Sequence, residues 1–202
     1  MNRPNKRQDI LNHALELFVT KGIDQASTAE IAKGAGVATG TLFHHFPNKS
    51  SLVDALYRDL KTELASGMSG VISDDLLGQA KSYWDRALNW FLNHPAKLIF
   101  LQMYYLNPRI SEERKELILR ETFGFLYSFI EEGQDQQLWL DLPMTFLLTH
   151  FQTAILSTAQ YLTAHQERQT EDFMNEAFRF HIRAALRAPE RLNQSFESNT
   201  PR

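Results

Sequence analysis

Cysteine is absent from the 202 residues. This excludes disulfides, thiolate zinc sites, iron–sulfur clusters and cysteine nucleophiles. Long apolar runs are missing as well. The longest, Leu98-Ile99-Phe100-Leu101, stops at Gln102, far short of the ~18 residues a membrane-spanning helix needs, so no membrane partner is expected. Arg3, Lys6 and Arg7 open the chain with no apolar segment behind them. A secretory signal is therefore not expected, and a cytoplasmic location is. No segment alternates apolar and polar residues as a half-buried strand does. A strong excess of one charge is also lacking. The net charge is −3, with 43% hydrophobic and 22% charged residues, the composition of a globular protein. That balance alone gives no support to nucleic-acid binding. Its distribution says a little more, since residues 1–50 carry +2 and the remainder −5.

Reactive constellations are missing too. Apart from the His44-His45 pair, whose side chains diverge on a helix, the seven histidines are scattered. No His-x-x-x-His pair offers convergent metal ligands, and no serine sits in a Gly-x-Ser-x-Gly elbow. Gly34-x-Gly36-x-x-x-Gly40 looks superficially like a dinucleotide fingerprint, but that motif needs a strand before it. No catalytic residue, metal or cofactor is expected, and the chain does not read as an enzyme.

What is present is helical spacing almost throughout. Ile10, Ala14, Leu17 and Phe18 form one face of an amphipathic helix, and Gly22 stands in the usual stop position. Ser27-Thr28-Ala29-Glu30 fits a capping box, in which the serine hydroxyl and the glutamate three residues on satisfy each other's free N–H groups. A short helix through Ile31 and Ala32 must stop near residues 34–36, and a second runs from Thr39 to Phe46, before Pro47. Asn48 is a good N-cap for a helix through Leu52, Leu56, Leu60 and Leu64. Residues 66–70, Ser-Gly-Met-Ser-Gly, read as a linker. Five longer helices are then expected. They cover about 74–93, 95–107, 111–132 with Gly133 as its stop, 143–166 with Pro143 in its first turn, and 170–186. Residues 134–142 read as a loop and 189–202 as a frayed tail. The expected fold class is all-α: an N-terminal three-helix domain containing a helix-turn-helix (1–66, with its connecting helix), then a helical bundle (67–188).

Residues 28–46 carry the sharpest signal. Ala35-Gly36-Val37 gives a small residue, a glycine free to take positive φ, and an aliphatic side chain to pin the next helix. Leu42 and Phe46 share one face of that helix, and Thr39, Gly40, Thr41, His44 and His45 remain on the others, with His45 placed partly against Phe46. Small residues on the outer face near a helix N-terminus can approach base edges in a major groove. Here the chain resembles the TetR family of bacterial transcriptional repressors. The resemblance rests on Ala14, Leu17-Phe18, Gly22, Ser27-Thr28, Ile31-Ala32, Ala35-Gly36-Val37, Gly40-Thr41-Leu42-Phe43, His45-Phe46, Lys49 and Leu52, in one unbroken register over roughly residues 6–55.

The resemblance implies a homodimer on a palindromic double-stranded DNA operator. Thr39, Gly40 and Thr41 would face bases, and Thr28, Phe43, His44 and Lys49 the phosphate backbone. Lys49 begins a helix, where the macrodipole disfavours a cation, which points it toward a phosphate. Arg3, Lys6 and Arg7 form either a DNA-reaching arm or a solvated tail. Two positions depart from the family pattern. Phe43 lacks the hydroxyl of the usual tyrosine. Ala38 replaces a small polar residue, so capping of the second helix would fall to Thr39 or to water.

The rest of the chain resembles the family only in being helical and of similar length. By that resemblance an effector pocket would draw on Trp84, Leu88, Phe91, Met103, Tyr104, Phe123 and Tyr127, with Phe146 and His150 or Gln152 from the next helix. An apolar or aromatic small molecule would then release the DNA by displacing the helix that starts at Asn48. The last two helices carry bulky stripes with small residues between them: Phe151, Ala154, Ile155, Thr158, Tyr161 and Leu162, then Phe173, Ala177, Phe180, Ala184 and Ala185. Two such helices from each subunit would make a four-helix dimer interface. The competing reading is a helical small-molecule carrier or enzyme whose N-terminal unit is only structural.

Overall fold

The local signals predict where most helices begin. A computed structural model of the chain describes residues 5–70, 73 and 75–188, so Arg3 and the expected tail lie outside the described residues. Among the described residues ten α-helices follow in order: α1 (Lys6–Lys21), α2 (Thr28–Gly34), α3 (Thr39–His45), α4 (Lys49–Met68), α5 (Leu76–Asn93), α6 (Pro95–Leu106), α7 (Glu112–Thr122), α8 (Gly124–Asp135), α9 (Met144–Ala164) and α10 (Glu171–Ile182). Asn48 caps α4 by accepting the Ser51 N–H at 2.8 Å, and Thr170 caps α10 by accepting the Phe173 N–H at 3.2 Å. Extended pairing among the described residues is limited to one bridge, Trp139 to Leu186. No helix among them is long and apolar enough to cross a membrane.

The chain folds into two compact units. One comprises residues 1–63 and 94–118, the other 64–93 and 119–202. In the first, α1 packs on α2, α3 and α6. Its core is Ile10, Leu11, Ala14, Phe18, Ile31, Leu42, Leu52, Leu56 and Phe100, all at most 2% exposed. Phe18 of α1 stacks on Phe100 of α6, with ring centroids 5.8 Å apart.

Within that same unit α4 is held by tyrosines. The Tyr57 ring lies flat on Tyr104, 3.7 Å between centroids and 5° between planes. The Tyr57 hydroxyl donates to Tyr105 at 2.7 Å, and the Tyr104 hydroxyl donates to Asp54 at 3.0 Å. Arg114 of α7 forms an ion pair with Asp54, and Lys97 of α6 one with Glu63 at 2.6 Å. Burial drives the phenols of Tyr57 and Tyr104 well above the ordinary tyrosine range. Lys61 is 4% exposed, its Nζ lies 5.4 Å from the Tyr105 ring centre, and burial pulls its ammonium down to about 7. Polar groups buried this deeply fix one arrangement of α4, because a slipped register would leave them without partners.

In the second unit α9 lies against α5, α8 and α10. Two differences from the sequence reading occur here, and each has a physical reason. The expected single helix over 111–132 is two, broken at Phe123, whose backbone leaves helical geometry (φ −120°, ψ 35°). The break buries the Phe123 ring to 3% exposure, 5.9 Å from Phe125, and Gly124, a poor helix former, opens the next helix. The second difference is Gly133. It does not stop a helix but lies inside α8, because the Trp139 indole rests where a side chain at 133 would be. Trp139, which the sequence places in a loop, is 1% exposed and touches Phe129 and Phe151. Two backbone hydrogen bonds fix this loop: the Leu140 N–H donates to Ala185 at 2.8 Å, and the Arg187 N–H donates to Leu138 at 2.9 Å. Smaller shifts occur elsewhere. Pro143 precedes α9 as its cap rather than standing in its first turn, and α10 ends at Ile182 instead of reaching 186.

Gly133→Ala should therefore overpack this cluster and lower stability by about 1–3 kcal/mol. Gly124→Ala, with open space at its Cβ position, should lose none. Urea unfolding of the two variants checks the contrast.

Candidate nucleic-acid interface

The α2–α3 pair is built from its ends inward. At the start of α2 the Glu30 N–H donates to the Ser27 hydroxyl, and the Ser27 N–H donates to the Glu30 carboxylate, both at 3.2 Å. Lys21 donates to the same carboxylate at 2.5 Å. The lysine first, then the serine N–H and hydroxyl, hold the Glu30 carboxyl down at about 2.

At the end of α2, Gly36 takes φ +66°. The Val37 N–H donates to Ala32 at 3.0 Å and the Gly36 N–H to Lys33 at 3.2 Å. This is the paired-bond helix stop that needs a left-handed residue in the middle. The turn delivers α3 with Leu42 fully buried and Phe46 3% exposed. Each contributes on the order of 1.5–3 kcal/mol of apolar burial. Two buried positions four residues apart leave one way for α3 to lie, with its opposite side outward.

That outward side carries Thr39, Gly40, Phe43 and His44, all exposed, with Thr41 half-buried beside them. Gly40 has open space where a side chain would be, so a ligand can approach the backbone there. No acidic residue occurs on α3. His45 is exposed, and its ring is tilted toward Phe46 with the centroids 6.2 Å apart. Thr39 does not cap α3. The cap position is Ala38, and no side chain satisfies it. Thr28, the first residue of α2, is half-buried. Lys49 already has a partner, its Nζ donating to the Asp24 carbonyl at 2.8 Å.

The other expected sites are less concentrated. Trp84, Leu88, Phe91 and Phe123 are buried in the second unit, whereas Phe146 is 59% exposed. The Tyr127 ring receives the Arg120 guanidinium, 5.1 Å from its centre. His150 lies 3.4 Å from the His181 carbonyl. Tyr104 belongs to the first unit, engaged by Tyr57 and Asp54, and Met103 lies beside it in α6. A groove of about 360 Å³ between α9 and α10 is lined by Ser157, Thr158, Tyr161, Phe173, Glu176, Ala177, Phe180 and His181. None of the residues named for an effector lines it. Four of those named for a dimer interface stand there with exposed or half-buried rings and methyls (Tyr161, Phe173, Ala177 and Phe180), and Thr158 forms its floor. Ala154 and Leu162, by contrast, point into the unit's own core, 4% and 0% exposed. Phe151 and Ile155 are half-buried, and Ala184 is exposed beyond the end of α10. Sequence reasoning missed His181. Burial and the neighbouring His150 depress its basicity.

The sequence profile for bacterial regulatory proteins of the tetR family matches residues 10–56, the segment just described. A crystal structure of a putative tetR family transcription regulator from Shewanella sp. PV-4 superposes with a TM-score of 0.86 at 33% identity, covering 91% of this chain and all of the other. The chain belongs to the tetR family. It is also similar to the HTH-type transcriptional repressor KstR2 of Rhodococcus jostii, 30% identical over 145 residues. That alignment spans 68% of this chain and 63% of the repressor's length. At 18% identity the fold is shared with a FadR regulator from Bacillus subtilis crystallised with stearoyl-CoA, TM-score 0.69 over 86% of this chain and 96% of the other.

The Glu30 network predicts a pH signature. A carboxyl held near 2 in the folded protein, against its ordinary 4.5, adds stability that is present above about 4.5 and is lost as pH falls toward 2. Glu30→Gln should therefore be less stable than the parent at neutral pH, with the gap closing across that acid range in thermal unfolding.

Proposed function

We propose that this tetR-family protein is a ligand-responsive, DNA-binding transcriptional regulator, a repressor that sits on a palindromic operator as a homodimer. The observation that carries the reading is the outward face of α3: a helix fixed from behind by Leu42 and Phe46, small at Gly40, hydroxyl-bearing at Thr39 and Thr41, and free of carboxylates. In this reading Thr39, Gly40 and Thr41 meet base edges. Thr28, Phe43, His44 and Lys49 meet the sugar–phosphate backbone, which positions without specifying. Lys49 exchanges the Asp24 carbonyl for a phosphate.

A second copy of the chain covers the α9–α10 groove. Phe173, Ala177 and Phe180 recur along α10 at i, i+4 and i+7, while Phe178 and Ile182 of the same helix face inward at 2% and 1% exposure. A helix apolar on both sides needs a partner on each, and Phe180 is 73% exposed, its ring meeting the adjacent His181 edge-on at 4.9 Å. Four helices about a two-fold axis would cover it. In this reading residues 1–66 read DNA and 67–188 bind the effector and the second copy, with residues 94–118 packed into the DNA-reading unit. α4, which belongs to both compact units along its length, carries the signal between them. The effector is an apolar or aromatic small molecule. The concentration of buried rings around Trp84, Phe91 and Phe123 supports this, as does the stearoyl-CoA complex of the Bacillus subtilis FadR regulator that shares the fold.

Selection of bound sites from random duplexes should recover a palindrome whose half-sites lie about one helical turn, ~34 Å, apart. Phe180→Asp should yield a monomer by light scattering and lose most affinity for that palindrome. Recovery of no sequence, or of a single asymmetric site bound equally by the Phe180→Asp protein, would favour a helical carrier with no DNA role.

A further inference from the structure

Arg109 lies in the turn between α6 and α7, 85 residues from Asp24, yet its Nη1 is 2.9 Å from the Asp24 Oδ1. Asp24 belongs to the turn between α1 and α2, four residues before Thr28. Lys49 donates to the carbonyl of this same residue at 2.8 Å. Two cations from distant parts of the chain thus meet at Asp24, one on its carboxylate and one on its backbone oxygen. The turn that presents Arg109 is itself ordered: its N–H donates to the Asn107 side chain at 3.0 Å, and the Ile110 N–H donates to the Asn107 carbonyl at 3.1 Å.

Stability does not account for this pair. The side chains are 77% and 64% exposed, and exposed pairs contribute about 0–1 kcal/mol. Among the described residues only Nη1 of the guanidinium fork is engaged, and the side chain is 77% exposed. That fork matches the oxygens of a phosphodiester as it matches those of a carboxylate. Resting on the DNA-binding reading, we infer that Arg109 is a further phosphate contact of the bound state and that the Asp24 carboxylate holds its place in the free protein. A phosphate arriving between Thr28 and Lys49 lies beside Asp24. Arg109 then trades one anion for another, and the displaced carboxylate opposes the incoming charge. Asp24 therefore damps affinity for DNA of every sequence, and Arg109 raises it.

The test measures binding to a mixed-sequence duplex of a few helical turns by fluorescence anisotropy over a range of salt. It compares the parent chain, Arg109→Gln, Asp24→Asn and the double variant. Arg109→Gln should weaken binding about fivefold at low salt and make the slope of log affinity against log salt shallower by about 0.9, one phosphate contact. Asp24→Asn should strengthen binding. Its gain should shrink in the Arg109→Gln background, because there is no longer a guanidinium to release. Three results overturn the inference: both single variants weakening binding alike, as for a strut that merely braces the turn; neither changing it; or the two effects simply adding. If the parent chain binds no duplex at low salt, the failure lies in the DNA-binding reading itself.

Discussion

One left-handed residue sets the direction of α3. Gly36 reverses the chain at the end of α2, and the two backbone bonds around it leave α3 no freedom of entry. Leu42 and Phe46 then fix its rotation by burial. Alone, seven residues in water would not hold a helix, so α3 exists because α1 and α2 provide the surface it lies on. The absence of a side-chain cap at Ala38 follows from the same logic. The α3 end is held by tertiary packing, and its free N–H groups remain available outside.

The α2–α3 pair does not rest on α1 alone. α6 and the first half of α7 belong to the same compact unit, tied in through Phe18 on Phe100, the Tyr57–Tyr104 stack and the Asp54–Arg114 pair. Residues from the middle of the chain thus set the position of α4, and α4 follows directly from α3 after three residues. A shift of α6 or of the first half of α7 therefore acts on α2 and α3 inside a single packed unit.

Much of this was legible in the sequence where the cause is local. The Ser27–Glu30 box, the Asn48 cap, the glycine at 36 and the i, i+4 pair at 42 and 46 each depend on residues a few positions apart, and each appears where the pattern puts it. What could not be read depends on distant neighbours. Nothing near Gly133 says that an indole six residues later needs its missing side chain. The break at Phe123 is chosen by the core the ring enters, against an unbroken helical period. Tyr104 has the composition of a pocket wall, but its stacking on Tyr57 is visible only once α6 is placed beside α4. Ala154 and Leu162 share a stripe with Tyr161 in sequence, and only the packing of α9 shows which side faces in.

The outward presentation of α3 to a duplex can be measured directly because the chain has no cysteine of its own. A single cysteine placed by Thr39→Cys, loaded with an iron–chelate cleavage reagent, should cut a bound duplex within a few bases of each half-site centre. The same reagent placed by Leu117→Cys on α7, also an exposed position, should cut weakly or not at all. Cleavage that is equal from both positions, or absent from the first while the duplex is demonstrably bound, would contradict the assignment of α3 as the DNA-reading helix.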